Sequence, residues 1–152
     1  MTQFLNSRAV YALRAMIFIA WKCEERDFIP VREIAKALDL SFSFLAKIIG
    51  QLVEQGLLVS HRGPAGGVGL ARPADQINLA EILWAVEGED YLEGCLLQLP
   101  GCEEATPCPI HDQWSKIREQ IKQVFVNTSL KELATKVQKE GLRLADLPFE
   151  KY

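Results

Sequence analysis

The chain has 152 residues, a formal net charge of −3 and 49% apolar residues. This composition excludes a disordered chain and suits one domain, or a small domain with an appendage. The longest strongly apolar stretch, residues 10–21, is interrupted by Arg14 and is too short to span a bilayer. The N-terminal region lacks a basic start and a small-residue cleavage site, so we expect a cytoplasmic protein without a signal peptide or a membrane partner.

The charge is distributed unevenly along the chain. Residues 1–75 carry a net charge of +2 and residues 76–152 a net charge of −5. No lysine or arginine occurs between Arg72 and Lys116, although this stretch contains nine acidic residues. A polyanion can therefore approach the first half of the chain and is repelled by the middle.

Two helices are predicted in the first forty residues. Apolar residues at helical spacing indicate a long first helix from Ser7 to Glu24, with Asn6 or Ser7 as its N-cap. After a break, Pro30 favours the start of a second helix. Residues 31–38 form this short helix, because their apolar positions follow the i, i+3, i+4, i+7 pattern.

A tight turn at residues 39–41 leads into a third predicted helix, which runs from about Ser41 to Gln55. Two predicted strands, residues 57–60 and 68–71, then flank a loop rich in glycine, which can bend sharply. Helix, turn, helix and hairpin in this order predict a winged helix-turn-helix, a fold that binds DNA.

The DNA-contacting residues of such a fold can be proposed from its geometry. The N-terminal part of the third helix enters the major groove, where we expect Ser41, Ser43, Ala46 and Lys47 to be exposed. The serine hydroxyls and the lysine can contact bases or phosphates. Arg62 in the hairpin loop can enter a narrow minor groove. The alternative is that the helices form only core and that Arg62 is a solvated charge.

The second half contains a long irregular segment between helices. A fourth helix is predicted over residues 79–86, and residues 88–110 show no helical or strand period. A loop of this length in a compact domain is usually functional. A long helix is predicted from His111, and Ser129 with Glu132 indicates a capping box that opens a last helix.

Three cysteines lie in this irregular segment, and a histidine follows it directly. Cys95, Cys102 and Cys108 fall within fourteen residues, and His111 follows. Thiolates and an imidazole suit a soft metal or an iron–sulfur cluster. Zinc is a competitor, although spacings of six and five residues lack its usual short knuckle. A thiol switch and ordinary buried thiols are further alternatives, and we interpret Cys23 as incidental.

The long helix carries an apolar stripe that is too extensive for a solvent-exposed helix. Burial of each such side chain stabilises a protein by about 1.5–3 kcal/mol. The stripe therefore packs on its own domain or forms a dimer seam. Its members are Trp114, Ile117, Ile121, Val124 and Phe125.

Several short motifs resemble those of a known family. They are YALRA at residues 11–15, IA at 34–35, SFL at 43–45, Leu52, GLL at 56–58, RGPAGG at 62–67, LARP at 70–73 and AVEG at 85–88. Together with the downstream cysteines, they resemble the Rrf2 family of bacterial winged-helix regulators, which includes the IscR, NsrR and RirA types. The resemblance covers roughly residues 4–140.

The resemblance implies a mainly α fold with a small β wing and a long C-terminal dimerisation helix. It also implies a homodimer that binds a partly palindromic DNA operator through Ser41, Ser43, Lys47 and Arg62. In this interpretation the apolar stripe is a dimer seam with some contacts inside one chain. IscR-like proteins carry a glutamate where this chain has Ala46, and this departure changes the expectation of which bases are contacted.

The resemblance also implies an iron–sulfur cluster bound by Cys95, Cys102 and Cys108. His111 matches the IscR-like pattern, in which three cysteines and a histidine hold a [2Fe–2S] cluster. NsrR-like members instead use an acidic residue just before the first-helix tyrosine, where this chain has Val10, which cannot be a ligand. The resemblance therefore favours [2Fe–2S] over [4Fe–4S].

The sequence thus predicts four segments: a winged helix-turn-helix (1–75), a helix with a cluster-binding loop (76–110), dimerisation helices (111–140) and a tail (141–152). The predicted function is a transcriptional regulator whose operator affinity depends on the cluster and which senses iron or cluster status, nitric oxide or redox stress. One alternative is a thiol-switch or zinc-bound regulator. Another is a metal or thiol redox enzyme, for which the sequence offers no cofactor fingerprint.

Overall fold

The computed structural model describes residues 4–145, so residues 146–152 of the predicted tail lie outside the described residues. A short 3₁₀ turn, Ala74–Gln76, precedes the fourth helix. The other elements, in chain order, are α1 (Ser7–Lys22), α2 (Val31–Leu38), α3 (Phe42–Glu54), β1 (Leu58–His61), β2 (Gly67–Leu70), α4 (Leu79–Glu87), α5 (His111–Asn127) and α6 (Leu130–Glu140).

The predicted fold class is confirmed: the described chain is mostly helical and has one two-stranded antiparallel wing. The differences lie at the ends of elements. α1 ends two residues earlier than predicted, where Cys23 forms its C-cap. The strands lie one residue closer to the hairpin tip than predicted, because His61 and Gly67 still pair in the β-ladder.

Helix α1 lies at the centre of the molecule and packs against α2, α3, α4 and α6. Asn6 caps it by accepting a hydrogen bond from the backbone N–H of Ala9 at 2.9 Å. Small side chains on its buried face let neighbouring helices approach, and larger ones fill the core between them. The buried residues of α1 are Ala9, Ala12, Ala15, Met16, Phe18, Ile19 and Ala20.

The turn between α2 and α3 is fixed by backbone conformation and by Arg14. Asp39 adopts a left-handed conformation with φ of 52°, and the N–H of Leu40 returns to the carbonyl of Ala35 at 2.8 Å. The Arg14 guanidinium donates to the carbonyl of Leu38 at 2.9 Å and to that of Leu144 at 2.7 Å. The Arg14 bond to Leu38 ties the C-terminal end of α2 to α1.

The wing is joined to the body through its second strand. Ile29 and Val68 exchange two backbone hydrogen bonds of 2.9 Å each, so residue 29 adds a third strand-like segment beside β2. A Cβ atom at Gly67 would lie 2.3 Å from the Ile29 carbonyl. Strand β2 and residue 29 can therefore approach this closely only with glycine at position 67.

The C-terminal helices share the core of the N-terminal half. Leu130 and Ala134 of α6 and Ile82 of α4 belong to the same buried cluster as the helix-turn-helix residues. Ser129 caps α6 by accepting from the N–H of Glu132 at 3.1 Å, which is one half of the predicted capping box. By contrast, α5 has no buried residue and packs mainly on α4.

Candidate DNA-reading surface and metal centre

The N-terminal turn of α3 presents polar groups to solvent. Ser41, Ser43 and Lys47 are exposed, and the Ser41 and Ser43 hydroxyl oxygens lie 3.4 Å apart. Ser41 is the N-cap but its side chain makes no cap hydrogen bond, which leaves the first backbone N–H groups open to an anion. Ala46, which the sequence predicts to be exposed, is half-buried, because it lies three residues before the buried Ile49 at the edge of the buried face of α3.

Arg62 is exposed at the tip of the wing, as the sequence predicts. Among residues 4–145, neither Arg62 nor Lys47 has an ion-pair partner. At the end of β1, where the hairpin loop begins, the His61 ring stacks on the Phe28 ring with 5.0 Å between the ring centroids. A Cβ at Gly66 would meet the His61 carbonyl at 2.4 Å, so the tip can close only with glycine.

The structure brings the three predicted cysteine ligands together. The Sγ atoms of Cys95, Cys102 and Cys108 lie within 4.8 Å of one another. Cys95 Sγ is 3.6 Å from Cys108 Sγ, and Cys102 Sγ is 3.4 Å from His111 Nδ1. All four cysteines of the chain are free thiols, and Cys23 is half-buried with its Sγ 3.6 Å from the Asp27 carbonyl.

Backbone N–H groups surround these sulfur atoms and change their acidity. The N–H of Leu99, followed by that of Leu97, holds the pKa of Cys95 down to about 7, against the opposing effect of burial. The N–H of Cys108 lowers the pKa of Cys102, but burial and the neighbouring thiols outweigh it, so that pKa is raised overall. N–H donors to sulfur stabilise the thiolate form that binds metals.

The loop that carries Cys95 is tied directly to α5. The carbonyl oxygen of Gly94 accepts from Trp114 Nε1 at 3.0 Å and from the Arg118 guanidinium at 2.7 Å. Lys122, one turn further along α5, pairs with Glu93. The residues that precede the first cysteine therefore cannot move without affecting α5. No residue pattern predicts this link, because the acceptor is a backbone carbonyl.

The predicted apolar stripe of α5 is divided between two environments. Ile121 and Phe125 pack against a small buried cluster of their own chain, and Trp114 is half-buried against the cysteine loop. Ile117 and Val124 are 49% and 60% exposed. Part of the stripe thus has partners within the chain, and two residues form an uncovered apolar strip.

Comparison with known proteins agrees with this architecture. The Rrf2 family model, described as an iron-dependent transcriptional regulator, matches residues 5–136. The regulator IscR of Xenorhabdus nematophila is 32% identical over 142 residues, which cover 93% of this chain and 84% of the relative. A provisionally named HTH-type transcriptional regulator of Aquifex aeolicus is 36% identical over 123 residues, 78% of this chain and 85% of the relative.

Solved structures show the same fold. CymR, the global cysteine regulator of B. subtilis, matches with a TM-score of 0.73 and 28% identity, covering 89% of this chain and 98% of that one. IscR of T. potens matches in fold with a TM-score of 0.74 and 24% identity, covering 100% and 98%. Within residues 4–145 no helix is both long and apolar enough to cross a membrane. The chain belongs to the Rrf2 family of transcriptional regulators, and its relatives are regulators rather than enzymes.

Proposed function

We propose that this chain is a homodimeric, cytoplasmic regulator that binds operator DNA with Ser41, Ser43, Lys47 and Arg62. The exposed turn of α3, with its open N–H groups, suits the major groove. The wing suits the adjacent minor groove, because its glycines allow close backbone approach and Arg62 has no competing carboxylate among the described residues.

We infer that the cysteine group binds an iron–sulfur cluster that controls this affinity. The observation that carries the inference is three thiols within 4.8 Å of one another, supplied with backbone N–H donors. His111 is the candidate fourth ligand, because its Nδ1 atom lies beside Cys102. Three thiolates and one imidazole fit [2Fe–2S], which we favour over [4Fe–4S]. Such a cluster supplies chemistry that responds to iron supply, nitric oxide or oxidants.

The chain's own residues can transmit the state of this site. A group bound to the cysteines would hold the loop in one position. The Gly94 carbonyl, which accepts hydrogen bonds from Trp114 and Arg118, would transmit a change in that position to α5. A shift of α5 in a dimer changes the separation of the two α3 helices, which must lie about 34 Å apart to read successive grooves. Coupling of this kind is typically about 1–3 kcal/mol.

The uncovered apolar surface supports a homodimer. The strip of Ile117 and Val124 continues the face of α5 that already packs on its own chain. Exposed apolar residues also occur along the cysteine loop, namely Leu96, Leu97, Leu99 and Ile110. Exposed apolar residues concentrated on one helix and the loop before it are typical of a protein interface, and a second copy of the chain is the partner that a symmetric operator requires.

The cluster is tested on protein purified without oxygen. We expect a coloured protein whose Mössbauer spectrum shows [2Fe–2S], and an altered or lost spectrum in His111→Ala. Cys23→Ala is the matched control and should retain the full spectrum. A [4Fe–4S] spectrum that survives in His111→Ala would reject the proposed fourth ligand. A colourless protein that contains zinc, or equal operator affinity with and without the cluster, would reject cluster control.

The wing contact is tested with a duplex selected from a random pool by the wild-type protein. We expect Arg62→Ala to weaken binding and to reduce the dependence of the affinity on salt, because one phosphate or minor-groove contact is lost. Lys139→Ala, on the exposed end of α6, is the control and should bind as the wild type does. Unchanged affinity and salt dependence in Arg62→Ala would remove the wing from the DNA-reading surface.

A further inference from the structure

Most arginines in the first 75 residues are already engaged within the chain. Three pair with carboxylates and one donates to two carbonyls; in order, the contacts are Arg8 with Glu87, Arg26 with Glu33, Arg72 with Glu81, and Arg14 with Leu38 and Leu144. Among the described residues, Arg32 and Arg62 are the two arginines of this region without such partners. Arg62 is at the wing, and Arg32 is at the start of α2.

Arg32 is held in place by an aromatic ring on the next helix. Its guanidinium carbon lies 4.6 Å from the centroid of Phe42, the first residue of α3. Phe42 is 41% exposed, so part of its ring is open to a partner. The cation–π contact restricts the arginine without neutralising its charge. The result is a positioned, unpaired cation beside a partly exposed apolar ring.

The position of this pair indicates its partner. Phe42 lies between Ser41 and Ser43, and Arg32 is the second residue of α2. In a helix-turn-helix the first helix crosses the DNA backbone while the second enters the major groove. Arg32 therefore belongs at the backbone, and Phe42 at the edge of the groove. There the apolar feature of a base pair is the C5-methyl group of thymine.

We propose that Arg32 and Phe42 form a further operator contact, in which Phe42 packs against a thymine methyl group and Arg32 neutralises a neighbouring phosphate. This contact rests on the proposed DNA-reading surface and adds to it a preference for thymine. The sequence pattern distinguishes neither residue. Phe42 follows the helical apolar pattern of a core residue, and Arg32 is one of several arginines that look alike along the chain.

The Phe42 contact is tested by removing the methyl group from the DNA. Each thymine of the selected duplex is replaced in turn by deoxyuridine, which lacks only that methyl group. At one thymine in each half-site the wild type should lose about threefold to fivefold in affinity, the effect expected for one buried methyl group. Phe42→Ala should bind the original duplex more weakly and lose nothing on this replacement. Phe42→Leu, which retains an apolar surface, should remain sensitive.

The Arg32 contact is tested by salt dependence. Arg32→Gln should lower the slope of log affinity against log salt concentration by about one for each protomer bound. Lys139→Gln, an exposed cation of α6, is the matched control and should retain the wild-type slope. Equal melting temperatures of the variants and the wild type establish that the fold is intact.

The outcomes separate this contact from the proposed function. If the pool yields no preferred duplex, both the DNA-reading surface and this contact are rejected. If a duplex is selected and Arg62→Ala weakens it, the surface stands. The contact is then rejected by equal methyl sensitivity of the wild type and Phe42→Ala at every thymine, and by an unchanged salt slope in Arg32→Gln.

Discussion

Gly67 and Gly50 differ in what surrounds them in the structure. Gly67 faces the backbone of Ile29, and a Cβ atom there would lie 2.3 Å from its carbonyl. Gly50, inside α3, has no atom within 4 Å of the position that its Cβ would occupy. We expect Gly67→Ala to lower the free energy of unfolding by about 1–3 kcal/mol, because it separates β2 from residue 29.

Gly50→Ala provides the matched control for this prediction. An alanine in a helix interior is more favourable than glycine by about 0.5–1 kcal/mol, so this variant should be more stable than the wild type. Urea unfolding at constant pH measures both changes. Equal stability of Gly67→Ala and the wild type would contradict the requirement for close approach of the wing.

The sequence predicts that the hairpin loop bends, because glycine and proline are concentrated there. It cannot identify Gly67 as indispensable, since the atoms that require it belong to Ile29, far earlier in the chain. The same limit applies to Gly94, whose carbonyl joins the cysteine loop to α5. The cysteines themselves could be predicted, because their residue type and close spacing carry the chemistry.

Helix α5 shows what periodicity alone leaves open. The spacing of its apolar residues predicts one stripe, and the structure divides that stripe between contacts within the chain and an exposed strip. Sequence periodicity gives the face of a helix but not the identity of its neighbour. The prediction of a dimer seam therefore applies most sharply to Ile117 and Val124, while Ile121 and Phe125 also stabilise the single chain.

We expect Ile117→Glu to convert the proposed homodimer into a folded monomer. Desolvating the new carboxylate in an apolar seam is costly, whereas the same side chain is well tolerated at an exposed position. Gln123→Glu, on the polar side of α5, is the control and should remain dimeric. Sedimentation equilibrium measures the mass and circular dichroism the helix content. A dimeric Ile117→Glu protein would place the seam elsewhere.

At the scale of the whole molecule, the helices of the winged domain and the C-terminal helices form one structure. The buried core is continuous across residue 75, with residues of α1, α4 and α6 in the same cluster. The order of helices, turn and hairpin predicted the winged domain. The sharing of core by α1, α4 and α6 could not be predicted, because every contact involved is distant in sequence.

Under the proposed function, the link between the cysteine loop and α5 predicts a variant that separates sensing from cluster binding. Arg118→Met removes one donor to the Gly94 carbonyl but none of the proposed cluster ligands. It should contain as much cluster as the wild type. The ratio of operator affinities with and without the cluster should move towards one, from the several-fold to hundredfold ratio that is typical of such coupling.

Iron and sulfide analysis and fluorescence anisotropy on the selected duplex measure the two properties separately. Lys116→Met also removes a cation from α5, but Lys116 has no ion pair or hydrogen bond among the described residues. It should therefore retain the wild-type ratio. An Arg118→Met protein with the wild-type affinity ratio would show that the loop acts on DNA binding by another route.

The short bridge between Asn78 and Ser129 holds one end of α5, so a displacement of the other end would rotate the helix about the held end. It joins the starts of α4 and α6 and so fixes the chain immediately after the C-terminal end of α5. With 17 residues, α5 is about 25 Å long, and a rotation of about 5° about that fixed end displaces the other end by about 2 Å. His111 lies at the end that moves, so a shift of about 2 Å at the cysteine loop corresponds to a rotation of α5 by only about 5°.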